Sequence, residues 1–196
     1  MKRHIQRGFV VSLLAAAACG TSGAAVGDGT GGVAWLTPPD VPAALAAPAG
    51  ATIKVHAHAV GAQIYTCTLS SAADAGAASA AWVLKAPDAI LYDSAGAQLG
   101  THGAGPSWTS RDGSTANGVK AAQVDAPQPD AIPWLLLRIS STSGTGVFSD
   151  ITYVQRLNTM GGKAPPTGCD STTAGMDLRV SYTADYYFYT GGAGAA

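Results

Sequence analysis

The 196-residue chain carries 39 Ala and 25 Gly, only 12% charged residues, twelve Asp, no Glu, and a formal net charge of −1. The lack of Glu and the abundance of Gly, Ser, Thr and Pro exclude a long helical bundle, and the supply of large apolar side chains serves one core rather than two. No basic cluster is present to neutralise phosphates, which excludes nucleic acid as a partner.

At the amino end, Lys2, Arg3 and Arg7 precede the apolar stretch from Phe9 to Ala18. It is too short to span a bilayer and has the layout of a secretory signal over residues 1–18. Ala16, Ala17 and Ala18 run into Cys19, an arrangement that resembles the lipobox of bacterial lipoproteins, in which the cysteine becomes the acylated new terminus. The same alanines suit ordinary secretion. The expected location is therefore outside the cytosol, either lipid-anchored in the bacterial cell envelope or secreted, with the membrane as a partner through Cys19. From Cys19 onward, eight Lys plus Arg face twelve Asp, a net −4.

Three cysteines in an exported chain leave one odd. Assigning Cys19 to lipid leaves Cys67 and Cys169 to pair, and two free buried thiols are the alternative. A bridge closing so long a loop would contribute about 4 to 5 kcal/mol in the chain-entropy picture.

Residues 19–40 read as a flexible Gly/Ala/Pro-rich tether, stiffening into a proline-punctuated extended approach from Trp35 to Pro48. Residues 41–190 form the expected domain, and residues 191–196 a disordered tail. Within the domain, apolar alternation predicts short strands separated by turns. Ile53 to Ala59 and Gln63 to Leu69 form a hairpin about Val60-Gly61-Ala62, and Ser70 to Ala80 is a surface loop. Trp82 to Leu84 and Ala89 to Tyr92 are short strands, and Asp93 to Gly96 is a turn into Gln98 to His102. A third hairpin joins Trp108 to Ser110 with Val119 to Val124 through Arg111-Asp112-Gly113-Ser114. Trp134 to Ile139 is a continuous apolar run suited to burial on both faces. Val147 to Arg156, Leu178 to Tyr182 and Tyr186 to Tyr189 complete the set. The expected fold is a single-domain, all-β, antiparallel sandwich or flattened barrel of roughly ten short strands, braced by one disulfide.

Several segments, in order, resemble the DUF3455 family of exported proteins without an established function. They are Gly61-Ala62-Gln63-Ile64-Tyr65-Thr66-Cys67, Ala86-Pro87-Asp88-Ala89, His102 to Trp108, Asp112-Gly113-Ser114, Ala131 to Leu137, Val154 to Thr159, Gly168-Cys169-Asp170 and Tyr182 to Tyr189. The resemblance implies an exported domain and carries no catalytic residues to transfer.

His56 and His58, two apart on a strand, share a face about 7 Å apart, and His102 could complete a zinc or copper site. His102 beside Gly103 and Gly105, with Asp112 ten residues on, is a His-Asp pair able to orient an imidazole for base catalysis. The alternative is that both bind turn backbone. No serine lies in a nucleophile elbow, and no pair of acids stands out for glycoside hydrolysis. Strand alternation sets Tyr186 and Phe188 on one side and Tyr187 and Tyr189 on the other. One side is core; the other could line a groove with Trp108, Gln155, Arg156 and Asn158. Arg156 is alternatively a structural partner of Asp185 or Asp170.

The leading expectation is a non-catalytic ligand-binding or structural module of the cell envelope, without cofactor. Its ligand would be a small molecule or glycan, held by His102, Trp108, Asp112, Gln155, Arg156, Asn158 and Tyr187. The competing expectation is a metal-dependent enzyme or metal-binding protein using His56, His58 and His102.

Overall fold

The computed structural model describes residues 36, 37, 39–71 and 79–192. The expected signal, Cys19, most of the tether, the tip of the Ser70 to Ala80 loop and the tail from residue 193 lie outside them. The described chain forms eight antiparallel strands: β1 (Ala51–Ser70), β2 (Ser79–Tyr92), β3 (Gln98–Gly103), β4 (Ser107–Ser110), β5 (Thr115–Val124), β6 (Trp134–Ser143), β7 (Ile151–Gly161) and β8 (Asp177–Gly191). Each pairs with its neighbour in sequence, and β8 returns to β1, closing a barrel. The fold is thus all-β and antiparallel, and of the two expected architectures it is the barrel.

The expected ten or so short strands are corrected to eight, because three pairs of predicted strands are continuous. The clearest case is Val60-Gly61-Ala62, which stays in β1 instead of turning. Gly61 lies opposite Ala89, and a Cβ there would sit 2.2 Å from the Asp88 carbonyl oxygen. The glycine serves a close approach of two backbones, not a bend. Likewise Trp82 to Leu84 runs on to Ala89 to Tyr92 as β2, and Leu178 to Tyr182 runs on to Tyr186 to Tyr189 as β8. Pro87 is tolerated inside β2 because Ser79–Asp88 pair with β1 alone, β3 joining only from Ala89. β7 begins at Ile151, with Val147 in the loop before it.

Strand alternation divides the side chains between two cores. Inside the barrel, Ala57, Ala59, Ala89 and Ala116 face Trp108, Tyr182, Tyr186, Phe148 and Phe188. Small residues on one part of the wall make room for the aromatics of the other, which is how a barrel too narrow for uniform side chains is filled. Gly118 completes this: a Cβ on it would lie 3.1 Å from the Trp108 ring. These alanines and Gly118 fit the taper of an aromatic core. Trp108 stacks on His102 with ring centroids 5.0 Å apart and meets Tyr186 and Phe188 edge-on.

A second core covers the outer face of β6, β7 and β8, where Leu136, Tyr153, Leu157 and Tyr189 pack around Leu45. The approach from Trp35 to Pro48 is thus not simply extended. Ala43–Leu45 form a single 3-10 turn that buries Leu45 completely. Gln155 holds it, donating from Nε2 to the Leu45 carbonyl at 2.6 Å while its Oε1 accepts from the Tyr189 hydroxyl at 2.6 Å. Trp134 to Ile139, expected to be buried on both faces, is so only at Leu136, which points outward into this second core, and Leu137, which points inward. Arg138 is already exposed.

Cys67 and Cys169 form a disulfide across 102 residues of sequence. It fixes the segment before β8 to β1, where Cys67 also exchanges backbone hydrogen bonds with Gly175 and Met176.

Candidate functional site

The strands differ greatly in length, and that difference opens the wall. β3 and β4 are short, so residues 79–88 of β2 and 118–124 of β5 have no strand between them. Among the described residues the Gly103–Ser107 connection lies across this notch. A cavity of about 410 Å³ opens through it into the barrel interior, within the range of small-molecule sites. Leu84, Pro87 and Pro106 form its rim, Ile132, Leu135 and Leu137 its apolar wall, and Gln63, Tyr65, His102 and Arg156 bring polar atoms to it.

Each polar group arrives by the same alternation. Arg156 pairs with Tyr186 and with Leu135 and shares their inward face. Its guanidinium donates from Nε and Nη2 to one acceptor, the Pro133 carbonyl, at 3.2 and 2.8 Å. Neither Asp185 nor Asp170 is its partner, which corrects that expectation: Asp185 takes His58 and Asn158, and Asp170 closes a turn with Thr172. Gln63 is buried beside the cavity, and its Nε2 has no hydrogen-bond acceptor. The Tyr182 and Tyr186 hydroxyls are buried and interact with each other and with Arg156. Burial raises both phenols well above the usual tyrosine value. Tyr65 donates its hydroxyl to the Gly162 carbonyl at 2.6 Å.

His102 lies opposite Ala89 and Trp108 on the inner face. Its Nδ1 donates to the Ser107 carbonyl at 2.8 Å, which leaves Nε2 as the acceptor of a neutral ring. Burial pushes its pKa down to about 4 against the upward pull of the Ser107 bond, and Arg156 lowers it further. At neutral pH it is an uncharged aromatic cavity wall.

His102 and Asp112 do not pair; as in the alternative reading, each bonds to backbone. Asp112 lies in the turn after β4, where Oδ1 accepts from Ser114 N and Oγ at 2.9 and 2.6 Å and Oδ2 accepts from Val147 N at 2.8 Å. These bonds hold its carboxyl well below the usual range. Its work is to tie the loop before β7 to the β4–β5 turn.

His56, His58 and His102 do not come together. His56 and His58 occupy the outer face, opposite Tyr187 and Asp185, while His102 is inside the wall. His58 Nδ1 lies 3.0 Å and His56 Nε2 3.5 Å from Asp185 Oδ1, and Tyr187 stacks on His56 at 4.4 Å. Burial alone would raise the Asp185 carboxyl, but hydrogen bonds from His56, His58 and Asn158 outweigh it and hold the pKa at about 2. Among the described residues no group of three His, Cys, Asp or Glu is arranged to hold a metal ion.

Of the seven candidate ligand residues, then, His102 and Arg156 line the cavity. Trp108 packs behind His102; Gln155 anchors the 3-10 turn; Asn158 and Tyr187 belong to the outer Asp185 cluster; Asp112 belongs to a turn. Sequence reasoning missed Gln63 and Tyr65. The available signal was the run Ala57, Ala59, Gly61, Gln63, which places a polar residue on an otherwise small, inward-facing row.

Comparison with known proteins gives a family and no nearer relative. No curated protein and no solved structure matches the chain. The model of a family described as a protein of unknown function, DUF3455, matches residues 48–190, the span that contains all eight strands but for the last residue of β8, and the chain belongs to that family.

Proposed function

We propose that this protein is an exported domain of the cell envelope that binds a small molecule in the notch of its barrel without transforming it. The observation that carries the reading is the cavity itself. A barrel otherwise filled by aromatic packing leaves an opening of about 410 Å³, walled by apolar side chains with a few polar groups turned into it. Among the described residues its lining holds no Ser, Thr, Cys or carboxylate. Lys85 is paired with Asp177, Lys120 bonds Gln123, and Tyr65 is spent on the Gly162 carbonyl, which leaves His102 without a partner group for acid–base chemistry and supports binding. Export is supported by the signal-like layout of residues 1–18 and by the bridge between Cys67 and Cys169. Attachment through an acylated Cys19 would place the domain at a membrane surface.

A thermal-shift screen of the purified protein against small metabolites, glycans and cell-wall fragments tests the binding reading. A ligand that raises Tm, with the rise abolished by Leu135→Trp in the cavity wall, supports it. No shift across the screen leaves a structural role. Mass spectrometry of protein recovered from its native host tests the location, the expected species beginning at a processed, acylated Cys19 or at a secreted terminus near it.

A further inference from the structure

Resting on the reading above, the lining also indicates which class of small molecule the notch takes. We infer that it is an organic monoanion, a carboxylate on an apolar body, with the carboxylate received by Arg156 and Gln63 and the body packed on Ile132, Leu135 and Leu137.

Charge is the first argument. Lys85, Lys120 and Arg156 line the cavity, and among the described residues no acidic one does. Lys85 is neutralised by Asp177, and Lys120 donates to Gln123 at 3.1 Å. Arg156 is partly buried and has no carboxylate partner. Removing a guanidinium from water without a counter-charge is costly, and an incoming anion offsets that cost.

Hydrogen-bonding capacity is the second argument. Arg156 spends one proton each from Nε and Nη2 on a single oxygen and also meets the buried Tyr186 hydroxyl, which leaves part of its five-donor fork for a ligand. Gln63, 2% exposed, adds an amide nitrogen without an acceptor. The side-chain acceptors in return are His102 Nε2, Gln63 Oε1 and the Tyr65 hydroxyl oxygen, all uncharged. The charged groups of the lining, Arg156 and the two lysines, are all donors, and the ligand that matches them is one that only accepts. An ionised carboxylate does, and can be met by a guanidinium in two parallel bonds. A neutral sugar, which donates as often as it accepts, would leave the Arg156 charge unmatched. The wall of Ile132, Leu135 and Leu137 supplies the complement for an apolar body.

The test uses matched probes that differ in charge and little in shape: 3-phenylpropanoate with 3-phenylpropanamide, and octanoate with octanamide, titrated calorimetrically at neutral pH. The acids should bind at least about tenfold more tightly than the amides, as expected for charge-assisted bonds. Arg156→Gln should abolish the preference, the affinity of each acid falling to that of its amide. Should that variant fold poorly, Gln63→Leu, which removes an unsatisfied buried amide, should weaken the acids several-fold without lowering Tm. Equal affinity for acid and amide would overturn the anion assignment and leave binding in the notch standing. Binding by neither pair would overturn the assignment as well, and the thermal-shift screen then decides separately whether the notch binds anything.

Discussion

Replacing His102 by Phe should change how stability depends on pH. The imidazole lies wholly inside the barrel, stacked on Trp108, with a folded pKa of about 4 against 6.5 for a solvated histidine. Above pH 6.5 both states are neutral and the ring adds no pH dependence. Between 6.5 and 4 the unfolded chain takes a proton that the folded chain refuses, so stability falls as the pH falls. Below 4 the folded ring is protonated as well and the penalty levels off. Integrating the difference gives a loss of about 3 kcal/mol by pH 4. His102→Phe keeps a ring against Trp108 and does not titrate. It also leaves the Ser107 carbonyl without its donor, a cost of about 1 to 3 kcal/mol that is the same at every pH. Urea unfolding followed by tryptophan fluorescence, from pH 7.5 to 4, should show the variant less stable at neutral pH and the gap closing or reversing toward pH 4. Carboxylates such as Asp185, held at about 2 in the fold, lower the stability of both chains alike and cancel in the comparison. Two curves that stay parallel over this range would refute the burial of a neutral imidazole at position 102.

Three further outcomes are expected. Gly61→Ala should destabilise the barrel by about 2 kcal/mol or more, because its Cβ would overlap the Asp88 carbonyl, whereas Val60→Ala, at an exposed neighbouring position, should stay within about 0.5 kcal/mol in the same denaturation assay. Removing the bridge by the double change Cys67→Ala and Cys169→Ala should cost up to about 4 to 5 kcal/mol, read as a fall in Tm that reduction of the native protein reproduces. Gln155→Leu should cost about 2 to 4 kcal/mol by leaving the Leu45 carbonyl and the Tyr189 hydroxyl without partners, and limited proteolysis should then cut the chain faster around the 3-10 turn at Ala43–Leu45.

Composition and local pattern determined a good deal of this protein. The lack of Glu, the abundance of Gly, Ser, Thr and Pro, the alternation of apolar residues and the parity of the cysteines were enough for an antiparallel all-β domain bridged between Cys67 and Cys169, because those signals depend on composition and on neighbours in sequence. The split of Tyr186 and Phe188 from Tyr187 and Tyr189 followed from the period of two alone. What only the tertiary structure decided was anything that depends on who stands opposite. Gly61 resembles a turn residue until Asp88 and Ala89 are seen against it. His102 and His56 look equivalent in sequence, yet one faces inward and the other outward. Arg156 is distinguished not by its neighbours in the chain but by having, among the described residues, no carboxylate beside it in the cavity. The notch exists because β3 and β4 end before β2 and β5 do. Alternation assigns a side chain to one of two faces; only closure of the sheet says which face is the interior, and only the unequal strand lengths say where that interior meets solvent.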